Sequence, residues 1–217
     1  MTTAIIVAGG ESSRFGSGDK ALATIDGVPM IRRVVNRIVP LADHIVVNSR
    51  TDQRSSFSAA LSNVPRPIQF AIDRQTNGGP VAGLETALDA VSGTKALVLA
   101  CDLPLIRTAT LSSLLEALED GGGSSPDCVL PLVDGYPEPL CGVYSTERLR
   151  SAIEIFDTPR NRSFGDLLEN LRVSTIPQQQ LPGGSHTYEN VNTPEDLRTV
   201  RTIVRKRREM PSTAPPY

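Results

Sequence analysis

The chain has 217 residues, a formal net charge of −2 at neutral pH and 39% hydrophobic residues without a tryptophan. That length suits one domain with a full core, while the charge balance and the absence of a long apolar run exclude the footprint of a nucleic-acid binder and a membrane span. Cys101, Cys128 and Cys141 form no CxxC pair and the only histidines are His44 and His186, which excludes a disulfide framework and a zinc cluster.

Any metal is therefore expected on oxygen ligands. The apolar run Ala4 to Ala8 is too short for a signal peptide and has no basic residues before it, so the cytoplasm is the expected location. Short β-branched runs then alternate with helical periodicity, the pattern of a parallel sheet with crossover helices. Strands are predicted at 3–8, 44–49, 67–72, 95–101, 127–133, 139–144 and 173–177. The first, AIIVA, is apolar without alternation, as a central strand covered on both faces should be.

Directly after it comes AGGESSRFGSGDKAL. Gly9 and Gly10 allow close backbone approach, the amides around Ser12 and Ser13 can line a concave anion site, and Arg14 and Lys20 supply positive charge. Two familiar patterns fail. A Walker A loop needs Gly-Lys-Ser/Thr, but Gly18 is followed by Asp19, Lys20 and Ala21; G-x-G-x-x-G fails because the first two glycines are adjacent. A loop leaving the first strand of such a sheet is still well placed to meet a ligand.

Farther along, MIRRVVNRIVPL puts Ile31, Val34, Val35, Ile38 and Val39 on one stripe and predicts a helix on the sheet. HIVVNSR ends a strand in Asn48, whose amide could read a base edge or merely stop the strand. DRQTNGGPVAGLETAL sets Asp73 just past a strand and Gly78, Gly79 and Pro80 at a helix start, which suits either a ligand or a tight turn.

KALVLACDLPLI is a second apolar strand that ends in Asp102, at the same edge as the glycine loop. Mg²⁺ is commonly held by one or two carboxylates plus substrate phosphates, so Asp102 is a candidate metal ligand; a turn or capping aspartate is the competing reading. Cys101 lies in an apolar strand without a nearby histidine and reads as a buried structural thiol. LSSLLEAL predicts a helix, and EDGGGSSPD (119–127) a surface loop. Near the end, Thr193 is expected as an N-cap with Pro194 at the first helical position, and residues 205–217 as a flexible tail after a single domain spanning 1–204. The basic run at 205–208 reads as a solvated helix end.

Six stretches, AGGESSRFGSGDKAL, DGVPMI, DRQTNGGPVAGLETAL, ALVLACDLPLI, GYPEPLCGVYS and YENVNTPEDL, together resemble the molybdenum cofactor guanylyltransferases, the MobA-like nucleotidyltransferases, in order and over roughly residues 3 to 200. The loop and its lysine are shared by a wider nucleotidyltransferase superfamily; the combination with CDLP, EPL and NVNTPEDL is the specific part. The resemblance implies a Rossmann-like three-layer α/β/α sandwich with a mostly parallel sheet, of the nucleotide-diphospho-sugar transferase type. It also implies transfer of GMP from GTP to the phosphate of molybdenum-molybdopterin, with release of pyrophosphate and a need for Mg²⁺.

By position, Val7, Ala8 and Gly9 match backbone that reads guanine, Lys20 the triphosphate lysine, Asn48 and Asp73 nucleoside-side residues, Asp102 the Mg²⁺ ligand, and Asn190 and Asn192 the molybdopterin side. Other proteins of molybdenum cofactor biosynthesis are further expected partners. Departures are small: Phe15 stands where the family usually has Met, the spacing in FGSGDK varies, and DLPLI replaces a Met-Pro-Phe run. Phosphoryl-type transfer asks mainly for positioning and charge stabilisation, which these residues can supply without a nucleophile–base pair. Competing readings are a relative using another base or acceptor (a CTP-dependent molybdopterin cytidylyltransferase, a cobinamide-phosphate or phospholactate guanylyltransferase, a sugar-phosphate nucleotidyltransferase) and a non-catalytic nucleotide binder.

Overall fold

The first apolar run forms β1 (Thr2–Val7), whose residues Ile5 and Ile6 are fully buried on opposite faces of the sheet. A computed structural model describes residues 1–10, 15–16, 18–74, 78–119 and 125–209. In chain order a short hairpin follows, β2 (Thr24–Ile25) and β3 (Val28–Pro29), then α1 (Met30–Ile38), β4 (His44–Ser49), α2 (Arg54–Ala60), β5 (Ile68–Ile72) and α3 (Pro80–Leu88). The second half adds β6 (Lys95–Ala100), α4 (Thr108–Glu119), β7 (Cys128–Val133), β8 (Tyr136–Pro137), β9 (Cys141–Ser145), α5 (Thr146–Glu154), α6 (Phe164–Leu168), β10 (Val173–Pro177) and α7 (Pro194–Glu209).

The main sheet runs β10-β7-β9-β6-β1-β4-β5, with β8 paired to β7. β1 lies parallel to both β4 and β6, and only β8 and β9 run antiparallel to their neighbours. The chain goes from β1 to β4 on one side and returns to β6 on the other, so the crevice at their carboxyl ends is a topological switch point, where ligands of open α/β sheets bind.

Alternation within each strand feeds two cores. Ala4, Ile6, Ile45, Val47, Leu97 and Leu99 face α1, α2 and α4, which contribute Val34, Phe57 and Leu114 among others. Ile5, Val46, Ala96 and Val98 face α3, α5 and α6 through Leu84, Leu149 and Leu167. Each buried leucine or isoleucine removes enough apolar surface to contribute about 1.5–3 kcal/mol. Helices on both faces make the predicted three-layer α/β/α sandwich with a mostly parallel sheet.

A third, smaller core joins α7 to the hairpin: Ile25, Met30, Leu105, Val191, Leu197, Val200 and Val204. The hairpin turn is Asp26-Gly27, both at positive φ (55° and 74°), the pairing that a two-residue turn of this twist requires. Arg201 donates to the Thr24 carbonyl through Nε (2.9 Å) and Nη2 (2.6 Å).

α7 starts as expected. Thr193 Oγ1 accepts from the Asp196 amide (3.2 Å), and the Asp196 carboxylate accepts from the amides of Asn192 (2.9 Å) and Thr193 (2.8 Å). The helix continues to Glu209 and so takes in the basic run at 205–208, which the sequence reads as a helix end. On its apolar side Val204 is buried against the third core. Residues 210–217 lie outside the described residues, as do 120–124 of the expected surface loop. Among the described residues no helix is long and apolar enough to cross a membrane.

Candidate functional site

At the carboxyl end of β1 the sheet releases the chain in stages. Val7 O still accepts from the Cys101 amide (3.2 Å) and the Ala8 amide still donates to Asn48 O (3.1 Å), but Gly9 turns out into the crevice. There it meets the Asn48–Asp73 pair. Asn48 is 1% exposed, and its Nδ2 donates to Asp73 Oδ1 at 2.6 Å. A Cβ on Gly9 would lie 2.2 Å from Asp73 Oδ2, and one on Gly83, in α3, 2.7 Å from Asn48 Oδ1. Glycine at both positions is therefore what lets β1, β4 and α3 close around this pair.

Burial pushes the Asp73 carboxyl above the usual carboxylate range, against the Asn48 hydrogen bond and the Arg50 charge that pull it down. The pair opens onto a cavity of ≈ 920 Å³ lined by Val7, Gly9, Gly10, Asn48, Asp73 and Gly83 among others. That is ample for a nucleotide, given that ligand pockets commonly span about 300–1,000 Å³.

Across β1 the second part of the crevice is built on charge. Lys20 begins a single 3₁₀ turn, Lys20–Leu22, capped by the Asp19 carboxylate, which accepts from the Ala21 amide at 2.9 Å. Its Nζ donates to Asp102 Oδ2 (2.6 Å) and to Asn192 Oδ1 (2.9 Å), joining the loop after β1, the end of β6 and the start of α7. Asp102 is 14% exposed at its side chain.

The other carboxylate oxygen, Asp102 Oδ1, is buried without a hydrogen-bond partner among the described residues. A buried acceptor left open is costly unless something fills it, and a hard cation completed by ligand phosphates suits that vacancy of bonding. Among the described residues no group of three or more His, Cys, Asp or Glu could hold a metal alone, so such a cation would need the ligand's oxygens. Asp102 therefore fits the expected Mg²⁺. Burial raises the nearby Glu138 carboxyl above its usual range, and the Asp102 charge raises it further against a hydrogen bond from the Leu140 amide.

The structure thus brings Val7, Ala8, Gly9, Gly10, Asn48 and Asp73 together on one side of β1 and Lys20, Asp102 and Asn192 on the other. Asn190 is exposed, two residues before Asn192. Arg14 lies outside the described residues. Cys101 is 3% exposed and burial pushes its thiol far up, in keeping with a structural role.

Sequence reasoning passed over three residues. Arg50 Nη1 donates to the carbonyls of Gly9 (3.1 Å) and Gly10 (2.6 Å), clasping the start of the loop. Gln53, 4% exposed, donates from Nε2 to Ala8 O (3.3 Å) and to the Asp19 carboxylate, while its Oε1 accepts from the Arg50 amide (2.8 Å). It ties the end of β1 to the cap of the turn that starts at Lys20. Glu138 stood in the EPL stretch without a role. The signal for Arg50 and Gln53 was their place just after Asn48, at the strand end.

Gln53→Ala is expected to destabilise the fold by about 1–3 kcal/mol, roughly 2–4 °C of melting temperature per kcal/mol at this size, because Ala8 O and Asp19 lose a buried donor. Gln53→Glu should cost more, setting a carboxylate against Asp19 and a carbonyl. Thermal denaturation decides; two variants that melt like the parent would show that the node carries no strain when cut.

Residues 4–173 match the family model described as MobA-like NTP transferase domain. A Haloferax mediterranei protein named "Probable molybdenum cofactor guanylyltransferase" is 38% identical over 203 residues, 90% of this chain and 91% of the relative. A Desulfosudis oleivorans protein named molybdenum cofactor guanylyltransferase is 29% identical over 94% of this chain and 96% of its own. Among solved structures, molybdopterin-guanine dinucleotide biosynthesis protein A from Archaeoglobus fulgidus superposes with a TM-score of 0.73 at 24% identity, covering 95% of this chain and all (100%) of that one. A Methanothermobacter nucleotidyl transferase gives 0.71 at 18% identity, with 95% and 99% covered. These two structural likenesses show the fold.

Proposed function

Because the chain belongs to the MobA-like NTP transferase family, we propose that it transfers GMP from GTP to the phosphate of molybdenum-molybdopterin, yielding the guanine dinucleotide form of the cofactor and pyrophosphate. The observation that carries this reading is the Lys20 ammonium held between Asp102 and Asn192 at the same sheet edge as the ≈ 920 Å³ crevice.

In the proposed reaction an oxygen of the acceptor phosphate attacks the α-phosphorus of GTP, forming one P–O bond as the bond to the β-phosphate breaks. The pyrophosphate leaves with its charge. Little covalent help is needed from the protein; alignment and charge neutralisation dominate. Gly9, Asn48 and Asp73 are proposed to receive the nucleoside, where the amide and the carboxyl offer donors and acceptors to a base or ribose. Lys20 is proposed to offset the charge that builds on the leaving phosphates. Arg14, the second cation that the sequence offers, is proposed as its companion. Asn192 is proposed to hold the Lys20 ammonium on course and, with Asn190, to face the acceptor.

Asp102, through Oδ1, would hold Mg²⁺, which when bound supplies positive charge shared between carboxylate and phosphate oxygens. The three cysteines are unpaired and buried, which suits a reducing compartment, and the cytoplasm is the location we propose.

Incubation with GTP, Mg²⁺ and molybdate-loaded molybdopterin is expected to yield the guanine dinucleotide. In thermal melts with Mg²⁺, GTP at one hundred times its Kd should add about 2.7 kcal/mol. Stabilisation by CTP and not by GTP, or transfer only to a different phosphate acceptor, would overturn the reading.

A further inference from the structure

Away from the crevice, five arginines from three separate elements converge. Arg33 and Arg37 of α1, Arg107 at the entry to α4, and Arg207 and Arg208 of α7 line a cavity of ≈ 410 Å³ whose apolar wall is Pro104, Leu105 and Val204. In a chain of net charge −2 this concentration runs against the overall sign.

The usual reasons for exposed arginines account for part of it. Arg37, Arg207 and Arg208 stand in the last turns of their helices, where the negative end of the dipole favours cations. Arg33 sits in the middle of α1. Arg107 sits at the wrong end: its carbonyl accepts from the Leu111 amide (3.2 Å), so it occupies the entry to α4, where amides point outward and a cation is disfavoured.

Among the described residues, carboxylates neutralise the group only in part. Asp26 pairs with Arg208 (2.6 Å) and lies near Arg33, and Arg205 takes Glu209 (3.9 Å). Arg33 Nη1 donates to Ile25 O (3.2 Å), but its Nε is buried without a hydrogen-bond partner among the described residues. Burial first, and then the Arg37 charge, lower the Arg33 guanidinium from its usual range; burial and then Arg107 and Arg37 do the same to Arg207. Mutually repelling cations around a half-enclosed space, with the outward amides of a twelve-residue helix beside them, form a site for an anion.

Guanidinium forks match phosphate oxygens in pairs, and three elements offering forks from different sides favour a ligand with several such oxygens. We infer that the junction of α1, α4 and α7 binds a multiply charged phosphate anion of the size of pyrophosphate or a small phosphate ester, separately from the Lys20–Asp102 crevice. The inference does not depend on which nucleotide the crevice takes.

The test uses the full chain carrying Lys20→Ala, which weakens the phosphate end of the crevice. Titrated with pyrophosphate in a calorimeter, it should bind one equivalent. Adding Arg107→Gln and Arg207→Gln, both exposed positions, should weaken binding about tenfold or more, as loss of charge-assisted hydrogen bonds does, without changing the melting temperature. The same pair of substitutions in the parent chain should leave transfer activity unchanged. Four results would overturn the proposal: no pyrophosphate binding by the Lys20→Ala chain, binding indifferent to the arginine changes, equal affinity for sulfate at matched ionic strength, or binding to anionic lipid vesicles and not to free pyrophosphate.

Discussion

Asp102→Asn is expected to lower turnover by about 10²–10³-fold while the protein melts within a few degrees of the parent. The substitution keeps the shape of a side chain that is 14% exposed and can still offer an oxygen to Lys20. What it changes is the other atom. Asp102 Oδ1 is buried and unpartnered among the described residues, and Asn puts either a neutral acceptor or an N–H donor there. A donor facing that space repels a cation, and a neutral amide holds one weakly. The stability change is small because the open acceptor was already a cost and Asn192 Oδ1 still holds Lys20 at 2.9 Å. Initial rates across a Mg²⁺ titration, beside thermal melts, make the comparison. Near-normal turnover would remove Asp102 from the role proposed for it.

Lys20→Ala makes the same point from the other partner. It should abolish most turnover too, yet cost more stability, because it leaves the Asp102 carboxylate in place with its cation removed. The double variant Lys20→Ala/Asp102→Asn should then be more stable than Lys20→Ala alone and no less active than the slower single variant. Groups that act as a unit are not additive, and this cycle reads that unit directly.

Much of this arrangement is legible in the sequence, for physical reasons that differ from residue to residue. β1 announced itself because a strand covered on both faces must be apolar at every position, and α7 because Thr193, Pro194 and Asp196 write the hydrogen bonds of a helix start into the sequence. Asp102 stood out as a charge at the end of a buried strand, and Lys20 as one closing the glycine loop that leaves another. That the two touch was not legible, since 82 positions separate them and only the pairing of β1 with β6 brings their loops to one edge. Arg50 and Gln53 were harder still. Both look like ordinary surface residues after β4, and their work lies in bonds to backbone carbonyls of a loop about 40 positions earlier. The hairpin at Asp26-Gly27 could have been found from its turn chemistry.

Gly9→Ala is expected to raise KM for GTP by about tenfold or more and to destabilise the protein by about 1–3 kcal/mol. Gly9 is not held at positive φ, so alanine is acceptable to the backbone and the obstacle is purely one of space. Its Cβ would lie 2.2 Å from Asp73 Oδ2, where no carbon can stay. The carboxylate can rotate away only by carrying Oδ1 off the 2.6 Å bond from Asn48, whose amide is 1% exposed and has a single weaker alternative, Ala71 O at 3.4 Å. Gly83→Ala presses on the same pair from α3, at 2.7 Å from Asn48 Oδ1, but there alanine gains about 0.8–1.0 kcal/mol of helix propensity. Its net effect on stability should therefore be close to zero while KM still rises. If KM climbs in both variants and stability falls in only one, the nucleotide senses the geometry of Asn48 and Asp73 and not the general integrity of the fold. An unchanged KM in a folded Gly9→Ala protein would instead move the nucleoside away from this pair.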